Sequence, residues 1–236
     1  MIIASNFKTN HTRTSTNEYI EFVEEFIKKE NISSDVYVFP PSTALMNSRS
    51  VFVGAQNAYP VQSGSFTGEI ALEQLQEFGI KSILIGHSER RHVLKESQEF
   101  INSKFEFFKN SEFMITYCIG EPLEIRQKGL KEVLEYISLQ LESIDMSYEN
   151  LIVAYEPVWA IGTGVSATME DIKSTHSALK NIYGFKNLLY GGSVNLDNVA
   201  SIVDIEGVDG VLIGTASWKK EHFCEILKKT NKLGGR

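Results

Sequence analysis

The chain has 236 residues, 42% hydrophobic and 22% charged, with a formal net charge of −7. That length allows one large domain or two small ones, each with a substantial core, while the acidic balance argues against a nucleic-acid surface, which needs a basic excess. Two distant cysteines, Cys118 and Cys224, suggest neither a disulfide framework nor a zinc cluster. No apolar run nears the ~20 residues of a membrane span, and Met1–Asn6 lacks the basic and apolar regions of a signal peptide, so a reducing cytoplasm is the expected setting.

Short apolar runs rich in Ile and Val recur along the chain. They are Ile2–Ala4, Val36–Phe39, Val51–Gly54, Ile83–Ile85, Phe113–Ile119, Leu151–Ala154, Leu188–Tyr190 and Val211–Ile213. Most are continuous rather than alternating, as strands are when both faces are buried. Amphipathic stretches lie between them. Tyr19, Phe22, Val23, Phe26 and Ile27 share one face, with Glu21, Glu24, Glu25, Lys28 and Lys29 opposite. Leu130–Leu141 and His222–Lys229 follow the same pattern, and a helix is also expected over Ser42–Asn47. No Ser/Gly-rich linker divides the chain, so residues 1–236 are expected to form one domain. Eight runs give about 30 residues per unit, the size of a βα unit. An open doubly wound sheet accommodates such units, but a closed eightfold barrel fits the count better. In a barrel the chemistry belongs at the carboxyl ends of the strands.

The strand tips therefore carry the functional reading. Asn6-Phe7-Lys8 follows the first run. Lys8 alone reads as a solvated cation, but an acidic chain needs a local cation for any anionic ligand. Gly86-His87-Ser88-Glu89-Arg90-Arg91 follows the fourth run, with Ser88 placed to cap the next helix and turn amides placed to hold the His87 imidazole neutral. The plainer reading of His87 is a structural histidine. His11, His92, His176 and His222 lack this setting and read as surface or packing residues.

Glu156 follows the sixth run. Behind it, Pro157-Val158-Trp159-Ala160-Ile161-Gly162-Thr163-Gly164-Val165-Ser166-Ala167 reads as a flap, stiffened by proline, hinged by glycine and too apolar to lie in water for no purpose. Tyr190-Gly191-Gly192-Ser193-Val194 and Ile213-Gly214-Thr215-Ala216-Ser217 follow the seventh and eighth runs. Each is weak evidence alone. Together, just before helices at those two tips, they present N–H groups suited to a phosphate. A base, a neutral polariser, a cation and a phosphate cradle suit proton abstraction beside a carbonyl on a small phosphorylated substrate. No metal-ligand spacing, Walker pattern or Ser-His-Asp order competes with this.

With these stretches, and with Gly54-Ala55-Gln56-Asn57, Gly64-Ser65-Phe66-Thr67-Gly68-Glu69 and Cys118-Ile119-Gly120-Glu121, the chain resembles the triosephosphate isomerase family over nearly its whole length. The resemblance implies a (β/α)8 TIM barrel and a homodimer. It implies cofactor- and metal-free interconversion of dihydroxyacetone phosphate and D-glyceraldehyde 3-phosphate through an enediolate, in glycolysis and gluconeogenesis. It implies Glu156 as the base, His87 as the neutral electrophile and Lys8 as the cation stabilising the enediolate. In this family the pairing of a glutamate base with a neutral histidine is an established case of pKa tuning.

By the same resemblance, Asn6 positions the substrate, Glu89 supports Lys8, and Gly162, Ser193, Gly214 and Thr215 grip the phosphate. The flap suppresses phosphate loss by excluding water, and Thr67 lies on a loop that enters a second subunit. Cys118 reads as packing, since nothing near it lowers a thiol pKa.

The chain departs from the family at several places. Phe7 replaces a usual Trp, His11 a common Gly, Val165-Ser166-Ala167 the usual far hinge, and Thr215 a second Gly; the chain is also somewhat short. The alternative reading is a barrel of this fold that binds phosphate or attaches to a surface without turnover. It predicts loss of Glu156, His87 or Lys8, and all three are present. A Schiff-base aldolase needs a lysine on a late strand, and the last three runs hold none.

Overall fold

The computed structural model describes residues 1–161 and 166–231. Each apolar run becomes a strand: β1 (Ile2–Asn6), β2 (Asp35–Phe39), β3 (Phe52–Val53), β4 (Ser82–Ile85), β5 (Met114–Ile119), β6 (Leu151–Tyr155), β7 (Leu188–Tyr190) and β8 (Gly210–Ile213). All pairings are parallel, in the order β3-β2-β1-β8-β7-β6-β5-β4. The ring closes where Ala55 bridges Ile83. The Ala55 N–H donates to the Ser82 carbonyl at 2.8 Å, and the Leu84 N–H donates to the Ala55 carbonyl at 2.8 Å. The fold is a (β/α)8 TIM barrel.

The continuous apolar runs are explained by what each face meets. Ile2, Ala4, Phe39, Leu84, Ala154 and Leu212 pack together inside the barrel. Their neighbours along the strands, such as Ile3, Val38, Ile83 and Val153, pack outward in the larger core beneath the helices. Both faces exclude water, so both sets are apolar.

The helices of the described residues are α1 (Arg13–Glu30), α2 (Leu72–Glu77), α3 (Ser88–His92), α4 (Gln98–Asn110), α5 (Leu123–Arg126), α6 (Leu130–Leu141), α7 (Met169–Tyr183), α8 (Val199–Val203) and α9 (Lys220–Asn231). α6 matches its expected bounds, and α9 extends the expected segment at both ends. α1 starts at a reciprocal cap: the Ser15 N–H donates to Thr12 Oγ1, and the Thr12 N–H donates to Ser15 Oγ. None of these helices is long and apolar enough to cross a membrane.

The helix expected over Ser42–Asn47 does not form. Only a single 3₁₀ turn, Ser42–Ala44, follows Pro41. A tertiary tie fixes the chain just beyond that turn. Glu24 Oε1 on α1 accepts hydrogen bonds from the Ser48 hydroxyl and from the N–H groups of Arg49 and Ser50. Those amides are thereby held in a loop rather than in a helical ladder. Burial alone raises the Glu24 carboxyl, but these donors hold it below its usual value.

His176 on α7 is fully buried between the rings of Tyr155 and Tyr190, with centroids 5.8 and 6.2 Å away. Nδ1 lies 3.2 Å from the Gly207 carbonyl, while Nε2 has no partner among the described residues. Burial lowers the imidazole to about 4, against the opposing pull of Gly207 and Asp209. The folded value lies below the unfolded one, near 6.5. The unfolded chain therefore holds the extra proton between those values, and stability falls as pH drops through that window. The loss approaches about 3 kcal/mol. In denaturant unfolding at neutral and mildly acid pH, His176→Gln is expected to lose less stability on acidification than the parent. Parallel losses would show that another group carries the effect.

Candidate active site

The eight tips converge on a cavity of about 310 Å³ bordered by Asn6, Lys8, His87, Glu156, Ser193 and Gly214, with Thr215 beside them. Eight sequence-predicted residues, these seven and Ile161 of the flap, are thus brought together from the tips of β1, β4, β6, β7 and β8. Thr67 is not among them: it is exposed on its loop, away from this cavity. Gly162, Thr163, Gly164 and Val165, read as flap and phosphate grip, lie outside the described residues. Gly191, Gly192 and Val194 of the expected seventh-tip turn border the cavity too, as do Asn195 and Leu212, which sequence reasoning did not anticipate.

Glu156 is 2% exposed. Its backbone N–H donates to the Ile119 carbonyl at 2.7 Å, which locks the tip of β6 to that of β5. The next residue of the β5 tip, Gly120, has no room for a side chain, because a Cβ there would lie 1.8 Å from the Glu156 carbonyl oxygen. Glu156 Oε2 accepts the Ser88 N–H at 2.9 Å, and Oε1 lies 3.2 Å from His87 Nε2. Cys118, buried below, is pushed up by burial and then by Glu156, so it is a packing thiol rather than a nucleophile.

His87 itself occupies the N-cap position of α3, correcting the assignment of that role to Ser88. The Glu89 N–H donates to His87 Nδ1 at 3.2 Å. A nitrogen that accepts a hydrogen bond carries no proton, so the neutral ring bears its proton on Nε2, facing Glu156 and the cavity. The strand-to-helix turn thus selects the tautomer.

Lys8 has a left-handed backbone, φ 53°. Such a conformation is uncommon outside glycine and needs support. Asn6 Oδ1 accepts the Lys8 N–H at 2.9 Å, and Gln56 Nε2 donates to the Lys8 carbonyl at 2.8 Å. The Gln56 contribution was missed in the sequence; its signal was a carboxamide directly after a strand tip. Lys8 Nζ donates to Glu89 Oε1 at 2.6 Å, which fits the supporting role expected of Glu89. Behind Glu89, buried Lys104 and Arg90 both engage Glu96, and Lys104 also reaches Asn57.

At the phosphate end the helical geometry differs from expectation. Thr215 opens a 3₁₀ turn, Thr215–Ser217, and α9 begins only at Lys220. After β7, five-residue α8 begins only at Val199. These turns therefore offer local N–H groups rather than the start of a long helix dipole. Thr215 is not among the described non-glycine residues of positive φ, so its branched side chain meets no left-handed strain.

The described start of the flap is tied down from below. Trp159 Nε1 and the Tyr155 hydroxyl each donate to Glu121 Oε1 at 3.0 Å, and Arg126 lies over the Trp159 ring at 5.6 Å. Burial raises the Glu121 carboxyl, opposed by the Trp159 donor and Arg126.

A family profile described as triosephosphate isomerase matches residues 1–230. A triosephosphate isomerase of Sulfurimonas denitrificans is 56% identical over 241 aligned residues, covering 99% of this chain and 100% of that protein. One from Wolinella succinogenes is 52% identical, covering 97% and 100%. One from Helicobacter pylori strain P12 is 51% identical, covering 96% and 97%.

A Cβ at Gly191 would lie 2.9 Å from Glu156 Cγ. Gly191→Ala is therefore expected to push the Glu156 side chain back by about 0.5 Å toward ordinary contact, with β6 and β7 still paired. A crystal structure of the variant checks this, and an unmoved Glu156 would refute the contact.

Proposed function

The chain belongs to the triosephosphate isomerase family, and we propose that its barrel mouth is where it interconverts dihydroxyacetone phosphate and D-glyceraldehyde 3-phosphate, with Glu156 as the base. The observation that carries this reading is the 3.2 Å approach of Glu156 Oε1 to His87 Nε2 across one cavity that Lys8 also borders. Glu156 takes the proton from the carbon beside the carbonyl and returns it to the neighbouring carbon. His87 Nε2–H donates to the carbonyl oxygen and shuttles protons between the two oxygens. Lys8 offsets the developing enediolate charge, and Asn6 holds the Lys8 backbone and orients the substrate. Gly162, Ser193, Gly214 and Thr215 bind the phosphate. Base and electrophile are both side chains, so this chemistry needs no metal or cofactor. Residues 157–167 close over the intermediate and keep water from promoting phosphate loss.

The reading extends to the whole chain as one barrel domain working in the cytoplasm, in glycolysis and gluconeogenesis. It also includes a homodimer. The 64–69 loop projects, with Phe66 packed on Tyr59 at 4.1 Å and Thr67 exposed. Exposed Val93 and Leu94 flank a cleft that also holds Lys8 and Glu89. The loop of one copy fits the cleft of the other and covers that apolar surface. Phe66→Asp is expected to shift sedimentation from dimer to monomer; an unchanged sedimentation coefficient would place the interface elsewhere.

Glu156→Gln keeps the side-chain size and removes the base. Turnover of dihydroxyacetone phosphate in a coupled dehydrogenase assay is expected to fall roughly 10²–10⁴-fold. Parent-like activity would remove Glu156 from the role.

A further inference from the structure

A second cavity, of about 350 Å³, opens at the other end of the barrel, where β3, β4 and β5 begin. It lies beside the loop that replaces the expected helix after β2. Its walls are Met46, Val51, Phe52 and Met114, and its floor includes Tyr37 and Ser82. Phe52 is 52% exposed, although its ring stacks on Tyr37 with centroids 4.8 Å apart.

Two hydroxyls border the cavity, that of Tyr37 open to it and that of Ser82 buried. Tyr37 is 5% exposed, and its hydroxyl finds no hydrogen-bond partner among the described residues. Ser82 Oγ is buried nearby, also without a partner. A buried hydroxyl such as that of Ser82 is ordinarily satisfied, and the Tyr37 hydroxyl, open to the cavity, is left as a donor for whatever enters it. Burial also pushes the Tyr37 phenol up to about 12, so it stays a donor at ordinary pH.

The walls and rim narrow the occupant. Two thioethers and a stacked aromatic pair favour a flat aromatic ring. The rim carries one cation, Lys81, and one anion, Glu112, and so offers no net attraction to an ion. A volume of this size falls in the range of small-molecule sites and suits one or two fused rings. The unpartnered Tyr37 hydroxyl asks for an acceptor. We propose that this cavity is a second ligand site, which takes a neutral nitrogen heteroaromatic stacked against Phe52 with its ring nitrogen accepting from the Tyr37 hydroxyl. The site shares no residue with the barrel mouth, so its test does not depend on the isomerase reading.

Quinoline, neutral at neutral pH, is the probe, titrated into protein carrying methyl-labelled methionine and followed by NMR. Met46 and Met114 are expected to shift saturably while Met146 and Met169, elsewhere on the molecule, stay in place. Tyr37→Phe, which keeps the stacking ring, is expected to weaken binding roughly five- to tenfold, the value of one lost hydrogen bond. Phe52→Ala, at an exposed side chain, is expected to weaken it as well. Absence of a saturable shift at millimolar quinoline overturns the site. Affinity unchanged within twofold in Tyr37→Phe overturns the hydrogen bond that defines the ligand class.

Discussion

Closure of the parallel ring is the constraint on which the rest depends. Each strand runs in one direction, so eight carboxyl tips must face the same small opening. Residues far apart in sequence, Lys8, His87, Glu156 and Gly214, then border one cavity. Closure also leaves no sheet edge: Ala55 completes the ring through its two hydrogen bonds to β4. The short β3 is sufficient because this single bridge continues its pairing.

Within that opening, backbone groups do much of the electrostatic work. The Ser88 amide holds one oxygen of Glu156, and the Glu89 amide selects the protonated nitrogen of His87. Both amides belong to the first turn of α3, so one helix start orients both the Glu156 carboxylate and the His87 imidazole. The same turn supplies Glu89 to Lys8. An acidic chain thereby keeps a cation at its mouth, held there by a carboxylate.

Two departures from the family pattern are physically coupled. The rings of Phe7 and His11 lie 4.2 Å apart, and His11 takes a left-handed backbone, φ 72°, that glycine adopts without strain. The His11 ring also meets the Trp218 carbonyl at 2.9 Å and Ser15 Oγ at 3.2 Å. These ring and hydrogen-bond contacts hold the strained His11 backbone. Trp218 in turn donates to the Asn6 carbonyl, which links the pair to the first strand tip.

Strand number, strand positions and the placement of Glu156, His87 and Lys8 just past strand ends were legible in the sequence. Burial on both faces writes itself as continuous Ile/Val runs, and the tips follow from where those runs end. α4 and α7 left weaker traces, since only Ile101, Phe105 and Phe108, or Ile172 and Leu179, mark their buried faces. The missing helix after β2 was illegible, because the Glu24 carboxylate that holds the loop comes from a different helix. The same holds for His87 as a cap, for Gln56 beneath Lys8 and for Gly120 against Glu156. Local pattern by itself determined the strands and the chemical inventory of their tips. Only the tertiary structure decided tautomer, backbone support and cavity shape, because those depend on hydrogen bonds and close approaches between segments that the chain order keeps apart.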